Sequence, residues 1–255
     1  MPRMRRFAAG ALERAQRAAF GPAEYAEQES FVRASEIRVL AERAGIGPGV
    51  SVLDLCCGVA GPGRLLTREL GCDYVGVDAS EDAIAVARER AGDLPCRFVV
   101  GEIPPLPQGT FDVVLLLETL LVFRDKEPLL CEVARALPAG GRFAFTLEEG
   151  VPLTESERAQ MPAADTVCLT PLDELPALLS RAGLTVRWKE DWSASHRAVA
   201  ESLSDAYAAD SAAIASRIGR GKLDALLAAH RLWSEWLATG RVRKLALVAE
   251  RTPES

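Results

Sequence analysis

An apolar segment runs directly into a loop of small residues in Val52-Leu-Asp-Leu-Cys-Cys-Gly-Val-Ala-Gly-Pro-Gly63. The small residues at Cys56, Gly58 and Ala60 let the backbone pass close to a bound ligand, where bulkier side chains would collide. Asp78 closes the next apolar segment, about twenty residues beyond the loop, where a ribose diol can donate hydrogen bonds to it. Together these features predict an adenosine-containing ligand at the carboxyl ends of parallel strands.

Two details of the loop narrow the class of ligand. The glycines at positions 58, 61 and 63 follow the order G-x-x-G-x-G, whereas a nicotinamide fingerprint reads G-x-G-x-x-G. Asp54 precedes the loop, and a carboxylate there would repel a pyrophosphate, although it could accept a hydrogen bond from an ammonium group. The pattern therefore favours a ligand with an amino-acid tail.

Short apolar segments alternate with amphipathic ones on either side of this loop, which is the pattern of βα units that build a parallel sheet. Strands are predicted at 50–55, 74–77, 98–100, 112–117, 142–147, 184–190 and 242–250. Helices are predicted at 63–70, 81–91, 128–137, 172–182, 195–218 and 222–238. The last two lie between two strands that would otherwise be neighbours in sequence, so we interpret 195–240 as a helical lid over a site.

The composition is that of a globular protein and excludes several function classes. The 255 residues include 30 Lys and Arg against 36 Asp and Glu, a net charge of −6, which disfavours broad binding to nucleic acid. No apolar run approaches the roughly 18 residues that span a bilayer, so we predict no membrane segment. The six cysteines form no metal-type Cys-x-x-Cys, which predicts reduced thiols in a cytoplasm and no metal site.

The ordered motifs resemble those of class I S-adenosylmethionine-dependent methyltransferases of the small-molecule, natural-product branch. That family's D-x-G-C-G-x-G-G-P matches residues 54–62, with Cys56 and Ala60 in place of two glycines. The resemblance continues through further segments, at 76–80, 101–103, 106–112 and 137–143. It implies a Rossmann-like α/β fold: a seven-stranded, mostly parallel sheet, its last strand antiparallel, with helices on both faces. We expect one domain over 1–255, with N-terminal helices at 1–48 and a cofactor-binding core at 49–150.

The resemblance also implies which residues bind S-adenosylmethionine. Asp54 and the backbone of Cys56 and Gly58 would meet the methionine tail. Asp78 would hold the ribose hydroxyls, and the adjacent Ala79 is also expected among the cofactor-binding residues.

Four further positions are implied for the adenine and for closure over the cofactor. Glu102 stands where the family usually has Asp facing the adenine amino group, and the Ile103 N–H would face the ring nitrogen. Tyr25 and Gln28 lie in a segment that resembles the one closing over the cofactor in some relatives. The alternative for Tyr25 is that it packs on the first helix.

Methyl transfer from a sulfonium depends mainly on orientation, but a hydroxyl acceptor gains from a general base. His196 shares a helical face with Leu203 and Tyr207 and is the first candidate, unless it is only a surface or capping group. Glu118 follows the fourth strand and could bind a cationic acceptor, act as the base or cap a helix. His230 falls on an apolar face, which favours a core histidine.

Trp192 is a candidate for the wall of an acceptor site. The predicted function is methylation of a small molecule at oxygen or nitrogen, by a monomer or homodimer, with no nucleic-acid partner. One alternative is a cyclase or isomerase of the same fold that binds S-adenosylmethionine without methyl transfer. A non-catalytic binding subunit is the other, and the intact cofactor motifs disfavour it.

Overall fold

A seven-stranded sheet forms the centre of the part of the chain that the computed structural model describes, residues 10–252. Its strands, in chain order, are β1 Ser51–Leu55, β2 Asp73–Asp78, β3 Cys96–Val100, β4 Val113–Leu116, β5 Arg142–Glu149, β6 Leu184–Asp191 and β7 Arg243–Arg251. They lie in the order β3-β2-β1-β4-β5-β7-β6, and β7 runs opposite in direction to the other six strands. The predicted fold class is confirmed.

Helices cover both faces of this sheet. They are α1 Ala11–Phe20, α2 Ala34–Ala44, α3 Gly61–Leu70, α4 Glu81–Ala91, α5 Glu127–Ala136, α6 Glu155–Gln160, α7 Leu175–Arg181, α8 Ser193–Ala209, α9 Ser211–Ile218 and α10 Arg220–Thr239. Alternate residues of a strand point to opposite faces, so Leu53 and Leu55 pack in one core with α5 and α7. Val52 packs in the other core, with α2, α3 and α4.

The long helix predicted at 195–218 is in fact two helices. The chain leaves helical geometry at Asp210, whose φ and ψ are −110° and 27°, and α9 starts after it. The Asp210 carboxylate accepts a hydrogen bond from Arg14 of α1, 3.3 Å away. Aspartate competes with helical hydrogen bonding, and the break lets Ile214 of α9 pack against α1.

Three helices, α8, α9 and α10, lie between β6 and β7 and are named here the helical cap. The predicted position of this insertion is confirmed, although its action as a lid stays a prediction. Helix α1 packs against α8 and α9 through a small apolar cluster that includes Ala11, Ala15 and Leu203. The N-terminal helix therefore stands beside the cap, above the carboxyl edge of the sheet.

Within residues 10–252, none of the helices combines the length and the apolar character needed to cross a membrane.

Candidate functional site

The loop that follows β1 has an unusual backbone. Cys56, Gly58 and Ala60 all adopt left-handed geometry, with φ of 55°, 54° and 56°. This geometry explains why glycines stand at the first and last of these positions in the family pattern, since only glycine adopts it without steric cost. The next residue, Gly61, touches the chain before α2: a Cβ built there would lie 2.2 Å from the Ala26 carbonyl oxygen.

Asp78 fastens this loop to the end of β2. One carboxylate oxygen accepts a hydrogen bond from the Gly58 N–H at 2.8 Å, and the other accepts one from the Ser80 N–H at 2.9 Å. The residue that was predicted to hold the ribose therefore also fixes the glycine loop beside it.

Asp54 lies on β1, directly below the loop, and is almost completely buried. The Tyr74 hydroxyl donates a hydrogen bond to it at 2.6 Å. Burial raises the pKa of the Asp54 carboxyl to about 7; the Tyr74 hydrogen bond opposes this rise and the nearby charge of Asp78 adds to it. A cation that arrives beside this carboxyl would stabilise its charged form.

Two adjoining cavities of 590 and 260 Å³ meet at this loop and are named here the acidic groove. Both are lined by Gly58 and Asp78, and Asp54 and Cys56 line the smaller one. Carboxyl groups outnumber guanidinium groups along the groove. Such a lining disfavours a pyrophosphate and suits a ligand that carries an ammonium and a sulfonium, as S-adenosylmethionine does.

Tyr25 and Gln28, two further residues predicted to bind the cofactor, line different parts of the acidic groove. Tyr25 lines the larger cavity, and the Arg17 guanidinium lies over its ring, 4.9 Å from the ring centroid. Gln28 lines the smaller cavity, but its amide is occupied: it accepts from the Ala26 N–H and donates to the carbonyl oxygens of Glu24 and Val32. Gln28 thus shapes the segment before α2.

Three predicted positions are not part of the lining of the acidic groove. Ala79 is exposed at the start of the turn into α4, and Glu102 is exposed after β3. Ile103 packs at the edge of the core. Their contacts with an adenine or a ribose stay predictions.

A third cavity, of 310 Å³, opens between the segment before α2, helix α1 and the cap. We name it the aromatic cavity, because its walls include Phe20, Phe31, Tyr207 and Trp233. Glu118 lines both this cavity and the acidic groove. The two spaces therefore adjoin at Glu118.

Glu118, in the loop after β4, joins four buried side chains in an ionic cluster. The four come from α2, β5, α8 and β7 and are Glu36, Glu148, His196 and Lys244. The Oε1 of Glu118 lies 2.7 Å from Lys244 Nζ and 3.0 Å from His196 Nδ1. Its Oε2 accepts a hydrogen bond of 2.5 Å from the Phe31 N–H. Burial raises the pKa of Glu118, but Lys244 and His196 outweigh it and hold that pKa far below its usual range.

His196 lies behind Glu118, away from the cavity wall where its helical face was expected to place it. It is fully buried, and its two nitrogens lie beside two carboxylates, Glu118 and Glu36, the latter at 3.4 Å. Burial lowers the pKa of the imidazole, but the hydrogen bond and charge of Glu118 and the contact with Glu36 raise it on balance. A protonated ring between carboxylates has no lone pair with which to take a proton.

The two histidines are both buried. For His230 this agrees with the core position that its apolar face suggested, although the residue also lines the aromatic cavity. Trp192, expected as a wall, is buried, and its ring stacks on that of His196 at an interplanar angle of 29°, with centroids 6.0 Å apart.

Three members of the ionic cluster were not found from sequence. Glu36, Glu148 and Lys244 lie on α2, β5 and β7. The available signal was a charged residue inside an apolar strand, as at Lys244 in Arg243-Lys-Leu-Ala-Leu-Val248.

Comparisons with known proteins agree with this geometry. A family profile described as "Methyltransferase domain" matches residues 53–145. The methyltransferase GfsG of Streptomyces halstedii is 30% identical over 158 residues, which are 57% of this chain and 56% of that protein. The chain thus spans little more than half of that relative, and about a third or less of the next curated relatives, which are sterol 24-C-methyltransferases.

Two solved structures share the fold. Phosphoethanolamine N-methyltransferase 2 of Haemonchus contortus, in complex with S-adenosyl-L-methionine, has a TM-score of 0.79 at 19% identity, over 97% of this chain and 59% of that one. The [4+2]-cyclase SpnF has a TM-score of 0.73 at 21% identity, over 96% and 94% of the two chains. At these identities both show the fold alone.

Proposed function

Since this chain carries a class I S-adenosylmethionine-dependent methyltransferase domain, we propose that it transfers a methyl group to a small molecule, at oxygen or nitrogen. The observation that carries the proposal is the position of Glu118, which lines both the acidic groove and the aromatic cavity. A cofactor in the groove and an acceptor in the aromatic cavity would meet at this side chain.

The residues of the groove fit the cofactor by their chemistry. Asp54 would accept a hydrogen bond from the ammonium group of the methionine tail, and Asp78 would accept from the ribose hydroxyls. When bound, S-adenosylmethionine supplies a methyl group on a positively charged sulfur, which is a good leaving group. The acidic lining stabilises that positive charge before transfer.

The acceptor is proposed to be a compact, partly aromatic or apolar molecule of the natural-product kind. The walls of the 310 Å³ cavity are apolar at Leu203 and Leu226 and aromatic at Phe31 and Trp233. Such walls bind the body of a ligand, while a few polar groups orient it. The cap and α1 would exclude water from the reacting atoms.

We also propose a cytoplasmic location for the protein, which its six unpaired cysteines favour.

A screen with isotopically labelled methyl donor tests the proposal. The protein is incubated with S-adenosylmethionine bearing a labelled methyl group and pools of phenols, aliphatic alcohols and amines, and products are sought by mass spectrometry. The expected product carries the labelled methyl group, and Asp78→Asn should reduce its yield. Asp93→Asn, an exposed acid outside the three cavities, is the matched control.

Products of unchanged mass, formed without release of S-adenosylhomocysteine, would contradict methyl transfer and favour the cyclase alternative. Failure to label any acceptor would also count against the proposal.

A further inference from the structure

The imidazole of His230 has a defined tautomer. Its Nδ1 lies 2.6 Å from the carbonyl oxygen of Leu226, one turn earlier on α10. A carbonyl oxygen only accepts hydrogen bonds, so Nδ1 carries the proton. In a neutral ring, Nε2 then presents a lone pair, and no hydrogen bond to Nε2 is found within residues 10–252.

The surroundings of His230 favour the neutral ring. Phe31 and Tyr207 meet the imidazole edge to face, with centroids 5.3 and 5.4 Å away. Burial lowers the pKa of His230, and the hydrogen bond to the Leu226 carbonyl oxygen and the charge of Glu118 only partly oppose this. Of the two histidines, His196 is the one held in the charged form and His230 the one left as a free base.

The other groups that face the aromatic cavity are weaker candidates for a base. Glu118 is committed to Lys244, His196 and the Phe31 N–H. The Tyr207 hydroxyl has its pKa raised to about 12 by burial, so it holds its proton. Among residues 10–252, Glu29 is the remaining carboxyl on this wall, and burial and the charge of Asp78 raise its pKa. It also lines both parts of the acidic groove, beside Gly58 and Asp78, so it is the competing candidate that the experiments must separate from His230.

We propose that His230 is the general base of this enzyme and that the acceptor is therefore a hydroxyl compound. This inference rests on the proposed methyl transfer and deepens it. The acceptor oxygen forms a bond to the methyl carbon while its hydroxyl proton moves to Nε2 of His230. The carbon–sulfur bond breaks with its electron pair on sulfur, and the imidazolium later releases the proton to water.

A general base in the wall of the acceptor cavity favours a hydroxyl acceptor over an amine acceptor. A neutral amine attacks through its own lone pair and can lose its proton afterwards. A hydroxyl group is a poor nucleophile until its proton is removed, so a positioned base contributes about 10²–10⁴-fold to the rate.

The first test observes the imidazoles directly. The chain contains two histidines, so long-range proton–nitrogen correlation spectra of the tag-free, nitrogen-15-labelled protein with S-adenosylhomocysteine should show two rings. The expected result at pH 7 is a neutral His230 with its proton on Nδ1 and a charged His196. A charged His230, or one with its proton on Nε2, overturns the proposal.

The second test is kinetic and uses His230→Asn, which keeps a donor for the Leu226 carbonyl oxygen. Glu29→Gln tests the competing carboxyl, and Asp93→Asn, an exposed acid that lines none of the three cavities, is the control. Matched phenol and aniline probes, 2-naphthol and 2-naphthylamine, extend the acceptor screen. For hydroxyl acceptors, kcat should fall by about 10²-fold or more in His230→Asn. In the same variant, kcat should no longer fall at acidic pH, because the group whose protonation causes that fall is gone. The affinity for S-adenosylhomocysteine should not change.

The proposal is overturned by equal kcat in wild type and His230→Asn, by a loss in Glu29→Gln alone, or by methylation of amines only. If no acceptor is methylated, the proposed function fails. The imidazole spectra still decide whether His230 presents a free Nε2.

Discussion

Asp54 and Glu118 are both buried carboxyls, yet their neighbours shift their pKa values in opposite directions. Asp54 has a neutral partner, the Tyr74 hydroxyl, so burial dominates and its pKa rises to about 7. Glu118 has two cationic partners, Lys244 and His196, so its pKa falls far below the usual range. The groove therefore contains one carboxyl that can lose its proton near neutral pH, Asp54, and one that is already ionised, Glu118.

Binding of S-adenosylmethionine should release a proton from Asp54. The ligand's ammonium group stabilises the charged carboxylate, so the affinity should rise with pH from about 6 to 7 and then level off. Calorimetric titrations in two buffers with different ionisation enthalpies measure the released proton. Asp54→Asn should bind more weakly and without this pH dependence; an affinity that is flat over this pH range in the wild type would contradict the assignment.

Glu118→Gln should lower the free energy of unfolding by about 3–5 kcal/mol, because it removes the carboxylate between two buried cations. Urea denaturation at pH 7 measures the loss. Glu149→Gln is the matched control on the same sheet: its partner, Arg243, is 40% exposed, so its loss should stay below about 1 kcal/mol. A loss in Glu118→Gln that also stays below about 1 kcal/mol would mean that the cluster adds little stability.

Only some of the individual side chains of the candidate site could be predicted from the sequence. Asp54, Gly58 and Asp78 were found because a contiguous loop and one strand end carry them. His196 was expected at the acceptor cavity and lies in the ionic cluster instead, because helical spacing identifies a face of a helix but not which structure covers it. His196, near the start of α8, faces the ionic cluster, whereas Tyr207, on the same face, lines the cavity.

The segment between α1 and α2 shows how a backbone contact can shape a site. Glu27 pairs with Arg64 of α3 at 3.0 Å and with Arg90 of α4 at 2.5 Å, which holds the segment over the loop. Gly61 lies directly beneath it. The groove depends on this close approach.

Gly61→Ala should destabilise the protein by about 1–3 kcal/mol and weaken the binding of S-adenosylhomocysteine. The added Cβ would lie 2.2 Å from one backbone oxygen and 2.5 Å from another, so the segment would have to move. Gly47→Ala is the control, because nothing lies within 4 Å of its added Cβ. Thermal denaturation and calorimetry compare the two; an unchanged Gly61→Ala would show that the segment moves freely.

The elements themselves were largely predictable, since the strands and most helices follow from hydrophobic period and proline or glycine boundaries. The break at Asp210 and the short helix α6 were not. Asp210 has a partner nearly two hundred residues away, Arg14, and such a contact leaves no local pattern in the sequence.

Across the whole molecule, the groove is enclosed by parts that are distant in sequence. Residues of α1, such as Ala11, and of α9, such as Ile218, line the same cavity as the loop after β1. A bound ligand would therefore join the N-terminal helix and the cap to the sheet.

Hydrogen exchange should slow in α1, in α9 and in residues 24–32 when S-adenosylhomocysteine binds. These segments contribute to the groove walls, and ligand contacts oppose their local opening. Helices α5 and α7 serve as the internal control, because they pack on one face of the sheet and contribute no residue to the groove lining. Protection spread equally over all helices would argue against a closure confined to the groove.

The most direct test of the central claim, that the acidic groove binds S-adenosylmethionine, is a calorimetric titration of the protein with S-adenosylmethionine, S-adenosylhomocysteine and NAD. Because the lining is acidic and Asp54 lies under the loop, the first two should bind with micromolar affinity and NAD should not bind. Binding of NAD alone, or of none of the three, would contradict the cofactor assignment and everything built on it.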